Sequence, residues 1–118
     1  MAKTEWTQEP PDDTEKRRER RKEFARALAK GGMPGVQVLS YEEATHVLTP
    51  KRRQIIETLK QNNVASVSEL ARSLNRDKGQ VSRDLKTLAE HGIIRYDESD
   101  RAKAPYLTQR HIVVEPIV

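Results

Sequence analysis

The chain has 118 residues, of which 34% are charged and 35% hydrophobic, with a net charge of +4. That suits one domain and a tail, with a small core beneath a large ionic surface and a charge that permits a polyanionic partner. The lack of cysteine excludes disulfides, thiolate zinc sites and thiol redox sensing, and no apolar run reaches membrane-spanning length or forms a signal-peptide core. The expectation is a soluble cytoplasmic protein with no membrane role.

Residues 1–13 are polar, contain Pro10-Pro11 and read as a disordered tail. Trp6 is the odd residue there. It reads as a solvated or loosely docked side chain, with a partner anchor as the minority reading. Residues 14–35 read as a charged helical arm and a Gly/Pro hinge. Thr14 to Lys30 has strong helix propensity, with Asp13 or Thr14 to cap it and Gly31-Gly32 to end it. Only Phe24, Ala25, Ala27 and Leu28 offer it an apolar docking face. The plain reading is a solvated helix carrying Glu15–Arg18 and Glu19–Lys22 pairs. The sharper ones are a basic arm along a phosphate backbone, part of a dimer interface, or a segment that wraps a protein partner. The cluster GGMPG at Gly31 to Gly35 is the expected hinge.

Residues 36–118 read as one domain. Val36 to Leu39 reads as a short strand. Ser40 and Glu43 fit an S-x-x-E cap, which starts a short helix through Leu48. Thr49-Pro50 opens the next helix, with proline at its first position. That helix runs to about Gln61, buries Ile55, Ile56 and Leu59, and carries Lys51, Arg52, Arg53 and Lys60 on its other side. Val64-Ala65 leaves room only for a minimal strand.

The stretch from Ser66 to Ile94 is the most informative. Ser66 and Glu69 form another capping box, and Val67, Leu70, Ala71 and Leu74 make a buried stripe. The stripe stops at Asn75-Arg76. Asp77 and Gln80 suggest a reciprocal cap for a second helix, whose inward face is Val81, Leu85 and Leu88 and whose stop is Gly92. Two helices this short share one core only by crossing at a large angle, as in a helix-turn-helix. At roughly 100° per residue, Gly79, Arg83, Lys86 and Glu90 face away from Val81, flanked by Gln80 and Ser82, with Lys78 in the first turn. Gln and Arg bond bidentately to adenine and guanine edges, and Ser and Lys suit phosphates. Gly79 costs roughly 1 kcal/mol of helix propensity, a sign of a backbone that must lie close to another surface. The plain alternative is a small helical core with a solvated polar face.

After Gly92 the period becomes that of a strand. Ile93 to Asp97 and Ala102 to Leu107 read as a hairpin with its tip at Glu98 to Arg101, and Pro105 fits only an edge or a strand end. His111 to Glu115 reads as a last strand, to pair with Val36 to Leu39 or with a second subunit. Asp84, beside the inward face, reads as a structural ion-pair or capping residue, with Arg52 or Arg53 as the candidate partner.

Helix, short strand, helix, turn, helix, hairpin is an order that resembles the winged helix-turn-helix regulators, MarR-like and ArsR-like, and within them a group of small DNA-binding proteins common in archaea. The carrying residues are Leu48-Thr49-Pro50-Lys51-Arg52, Ser68-Glu69-Leu70-Ala71-Arg72, Arg76-Asp77, Val81, Arg83-Asp84, Leu85, Leu88, Gly92-Ile93 and Pro105-Tyr106. The resemblance spans about Val36 to Pro116. It implies an α+β, mainly α fold, in which a winged helix-turn-helix with a two-stranded wing follows the charged N-terminal helix. It implies a recognition helix from Lys78 to His91, contact with DNA by Arg83 and its neighbours, and two copies on a two-fold site. Some relatives resemble antitoxins. The hairpin tip departs from the pattern, since Asp97, Glu98 and Asp100 would be repelled by phosphate. Arg101 and Lys103 are therefore the wing residues expected to reach DNA.

His46, His91 and His111 lie apart, without a second ligand at metal spacing. No nucleophile triad, phosphate loop or paired acids fall on a plausible cleft. The expectation is a non-enzyme without metal or cofactor. The function expected is a sequence-specific regulator of transcription, taken as a repressor, acting as a homodimer on double-stranded DNA. Gln80, Ser82 and Arg83 would read bases, and Ser68, Lys78 and Lys86 would hold phosphates. Gly79 would give close approach, and Arg76, Arg101 and Lys103 would add basic contacts. The alternative is a protein-interaction winged helix, such as an antitoxin neutralising a toxin.

Overall fold

The computed structural model describes residues 15–114. The expected tail at 1–13 with Trp6, the caps at Asp13 and Thr14, and Glu115 lie outside the described residues. The described chain is α+β and mostly helical, in the order α1 (Glu15–Lys30), β1 (Val36–Leu39), α2 (Tyr41–Val47), α3 (Pro50–Gln61), α4 (Val67–Leu74), α5 (Lys78–Glu90), β2 (Ile94–Asp97), β3 (Ala104–Leu107) and β4 (His111–Val114). Contacts divide it into two units, residues 15–45 with 111–114, and His46–Arg110. The division falls inside α2, not at the glycine cluster expected as a hinge.

In the first unit β1 and β4 pair in parallel, with Val36 opposite His111 and Leu39 opposite Val114. Of the two partners open to the last strand, the chain supplies its own. Val36, Val38 and Leu39 are buried, and α1 packs against β1. The docking face of α1 differs from the expected one. Arg21 is 5% exposed and Arg17, Ala25 and Leu28 are half-buried, whereas Phe24 and Ala27 are exposed. At its end, Gly32 takes φ +98° and the Met33 N–H donates to the Leu28 carbonyl at 2.9 Å. The glycine cluster thus begins as a left-handed helix cap.

In the second unit α3 starts where its sequence requires. Thr49 Oγ1 accepts from the Arg52 N–H at 3.3 Å, and Pro50 fills the first turn, where no donor is missed. Ile55 is buried while Ile56 and Leu59 are half-buried. Val64 is buried, but Val64-Ala65 forms no strand. The Ala65 N–H is already donated to Glu69 Oε1 at 2.9 Å, and the Glu69 N–H goes to Ser66 Oγ at 3.1 Å. The capping box of α4 therefore closes one residue wider than its pattern implies.

Leu70 and Ala71 of α4 are buried against α5. The chain stops α4 at Asn75, in the left-handed conformation (φ 54°, ψ 49°) that asparagine tolerates. The Arg76 N–H returns to the Ala71 carbonyl at 3.0 Å, and Asp77 then caps α5 by accepting from the Gln80 N–H at 3.2 Å. Val81, Leu85 and Leu88 are 0% exposed. Gly92 (φ +73°) ends α5, with the Ile93 N–H on the Leu88 carbonyl at 2.9 Å. That bond takes up the Ile93 N–H, and β2 runs from Ile94, opposite Leu107 of antiparallel β3. The Ile93 carbonyl accepts from the Thr108 N–H and hydroxyl, both at 3.1 Å, which latches the end of the hairpin to the end of α5.

Candidate nucleic-acid interface

The outer face of α5 is set by its inner one. Val81, Leu85 and Leu88 fix the helix by burial, so Lys78, Gly79, Gln80, Ser82, Arg83 and Lys86 are all exposed. A lysine stands in the first turn of α5 and no acid does. That lysine adds positive charge at the positive end of the helix dipole, where the Asp77 carboxylate already caps the backbone. Gly79 has a local reason as well. A Cβ at that position would lie 3.0 Å from Asp77 Oδ2, the carboxylate that caps the helix.

Arg76 stands in the turn before α5 and lines the groove beside Gln80 and Arg83. Its Nη2 donates to Asp84 Oδ2 at 2.8 Å, and its Nε and Nη1 are buried without a partner. Asp84 also accepts from Arg52 Nε at 3.1 Å, and Arg52 Nη1 donates to the His46 carbonyl at 3.1 Å. The expected Asp84 ion pair with Arg52 is present, and Arg76 is its second member. One carboxylate holds two guanidiniums, tying the start of α3 and the α4–α5 turn to α5. Arg76, expected as a basic contact, borders the groove while it is tied to Asp84.

Two grooves flank the α5 ridge. One, of about 770 Å3, runs between Gln80, Arg83 and Thr87 and the start of α3 at Thr49 and Lys51. The other, of about 510 Å3, runs between Ser82, Lys86 and Glu90 and the hairpin residues Tyr96 and Lys103. Arg83 borders both. Lys103 Nζ lies 5.0 Å from the centre of the Tyr96 ring, a cation–π contact that holds the ammonium beside α5. Burial raises the Tyr96 hydroxyl above its ordinary value, so it stays a neutral hydrogen-bonding group. Arg101 is exposed on the hairpin tip and borders neither groove, and Ser68 is half-buried on α4.

The acids of the hairpin stand elsewhere. Asp97 and Glu98 border a third cleft, with the end of α3. The Ser99 N–H donates to Asp97 Oδ1 at 3.0 Å, and this bond, with the Ser99 side chain, holds the carboxyl below its ordinary value. Only Glu90 brings a carboxylate to the groove beside Lys103. Sequence reasoning missed Lys51, Thr87 and Tyr96. Lys51 was legible as a cation beside a proline-started helix, but its approach to α5 depends on the crossing of α3. Among the described residues no three His, Asp or Glu side chains gather to hold a metal, and no helix is long and apolar enough to cross a membrane.

A family model, HVO_A0114, matches residues 47–114, more than half of the chain. The chain belongs to the HVO_A0114 family. The HVO_A0114 match runs from the end of α2 through β4 and contains every candidate residue named above, while α1 and β1 lie outside it. No curated protein matches the chain.

Proposed function

We propose that this HVO_A0114 protein is a sequence-specific double-stranded DNA-binding regulator of transcription, built as a winged helix-turn-helix. In this reading α4 and α5 are the helix-turn-helix, α5 enters the major groove, and β2–β3 is the wing. One observation carries it. The exposed face of α5 is hydrophilic and basic over two turns, and its opposite face is wholly buried. A rigid ridge with Arg83 at its crest and a cationic groove on each side suits a duplex, whose phosphates border the groove that the helix enters.

The residues take distinct roles. Gln80 and Arg83 make no side-chain hydrogen bond or ion pair among the described residues, which leaves both free for bidentate bonds to base edges. Ser82 is short enough for a base or a phosphate. Lys78, Lys86 and Ser68 hold phosphates, Lys51 at the start of α3 extends that contact, and Gly79 keeps the helix close. Lys103, steadied on Tyr96, is the wing cation, with Arg101 further along the tip. We assign the protein no catalysis and no cofactor. Two copies on a two-fold site and a repressor's action, which needs only occupancy, complete the proposal.

Selection of bound sequences from a random duplex pool at two salt concentrations tests it. A palindromic consensus, with binding that weakens as salt rises, is expected. No enrichment at either salt would contradict DNA reading.

One observation favours a second reading. Phe24, Met33, Tyr41 and Val114, four large apolar side chains in the unit of α1, β1 and β4, are 37–48% exposed. Exposed apolar groups of this size suit a protein partner, whether a second copy or a toxin that the chain neutralises. Pull-down after nuclease treatment distinguishes the two. A stoichiometric different protein, together with no affinity for duplex DNA, would replace the first reading with the second.

A further inference from the structure

The hairpin has a side that DNA reading leaves unused. Between it and the C-terminal end of α3 lies a cleft of about 440 Å3. Small-molecule sites run to roughly 300–1,000 Å3. Its lining includes Tyr96 and Tyr106, with Pro105, Leu59 and Val64, and Tyr106 is 46% exposed. Asp97 and Glu98 bring two carboxylates, and Asn62-Asn63 close the α3 end. None of the residues lining the cleft is basic, in a chain with 22 lysines and arginines, whereas each groove beside α5 is bordered by several. Arg95, opposite Tyr106 in the ladder, lies outside the lining.

Three influences in the cleft share one sign. Asp97 and Glu98 carry negative charge, and the hydrogen bond from Ser99 keeps Asp97 ionised below the ordinary aspartate range. The last turn of α3 presents the negative end of its backbone dipole. Aromatic faces attract cations, and Tyr106 is the exposed aromatic residue of the lining. Apolar walls beneath a negative rim suit a ligand with a cationic head and an apolar body.

We propose that this cleft is a binding site for a small organic cation, an ammonium group carried on an apolar or aromatic body. The ammonium meets the carboxylates of Asp97 and Glu98 and the Tyr106 ring, and the body rests on Leu59, Val64 and Pro105. Tyr96 borders both this cleft and the groove of Lys86 and Lys103. An occupant therefore lies beside the residue whose ring steadies the wing cation. That consequence rests on DNA reading, but the binding itself does not.

The test uses the full chain without DNA, so it stands or falls separately from DNA binding. Benzyltrimethylammonium is titrated into isotopically labelled protein, and the amides of Asn62, Asn63, Glu98 and Tyr106 are followed by NMR. Saturable shifts at these positions are expected. The Asp97→Asn, Glu98→Gln double variant should bind at least about tenfold more weakly. Asparagine keeps an oxygen for the Ser99 N–H, and unchanged amide shifts at Ile55 and Leu85 confirm that the variant is folded. Neutral benzyl alcohol should also bind at least about tenfold more weakly than the cation. Shifts that do not saturate, equal binding by the double variant, or equal binding of the alcohol would each overturn the proposal.

Discussion

Arg76 Nη2 and Asp84 Oδ2 meet at 2.8 Å, with the two side chains only 11% and 17% exposed. Arg52 joins the same carboxylate at 3.1 Å. Removing one member of a buried pair strands the other, at a cost of up to about 3–5 kcal/mol. With some water still reaching the site, Asp84→Ala should lower folding stability by about 2–4 kcal/mol, since it strands two guanidiniums. Arg76→Ala should also destabilise, while the folded variant keeps its order of preference among DNA sequences. Urea melts and competition binding check both; an Asp84→Ala protein as stable as wild type would show that the triad holds nothing.

Arg83 should behave differently. Arg83→Ala should leave the melt within about 0.5 kcal/mol of wild type, because the side chain is exposed and unpaired. It should weaken binding to the selected duplex by about 1–3 kcal/mol and relax preference at one base position. Lys86→Ala and Lys103→Ala should weaken all duplexes alike, each lowering the salt slope by about 1. Titrations at several salt concentrations separate the two patterns.

How far these residues were legible follows from the range of the signal. The caps at Ser66 and Asp77 are written in four-residue patterns, although the Gln80 side chain does not return the bond to Asp77; the stop at Gly92 is written in one glycine and the buried face of α5 in a helical repeat, so α4, α5 and the exposed ridge were readable. Arg76 was not, because a surface arginine and an ion-paired one look alike in sequence until Asp84 is seen across the turn. The docking of α1 was misread for a related reason. Its buried face is built on Arg21 and half-buried Arg17, which hydrophobic patterning counts as solvent-facing. The parallel pairing of β1 with β4 joins residues too far apart in the chain for any local pattern to fix.

Gly79 has two explanations with different outcomes. Alanine gains roughly 1 kcal/mol of helix propensity, but its Cβ would press on Asp77 Oδ2 and weaken a cap of similar worth. Gly79→Ala should therefore change stability by less than about 0.5 kcal/mol. If the α5 backbone lies against DNA, the same variant should bind the selected duplex more weakly. Unchanged stability with unchanged binding would reduce Gly79 to its part in the cap.

The hairpin should respond to pH from both ends. The folded state lowers the Asp97 carboxyl, so its contribution is present above the ordinary aspartate value and is lost as pH falls through the folded one. The folded state raises the Tyr96 hydroxyl, so its contribution is present below the ordinary tyrosine value and is lost as pH rises through the folded one. NMR titration of the two side chains should place both midpoints outside the ordinary values, in opposite directions. Tyr96→Phe should abolish the alkaline change.

The central claim is that the exposed ridge of α5 is a DNA-reading surface. Its most direct test is titration of the selected duplex into isotopically labelled protein at physiological salt. The account predicts that shifts and line broadening concentrate at Lys78, Gln80, Ser82, Arg83 and Lys86, with Lys103 following. Tight binding that leaves those residues unmoved, or no binding at all, would contradict it.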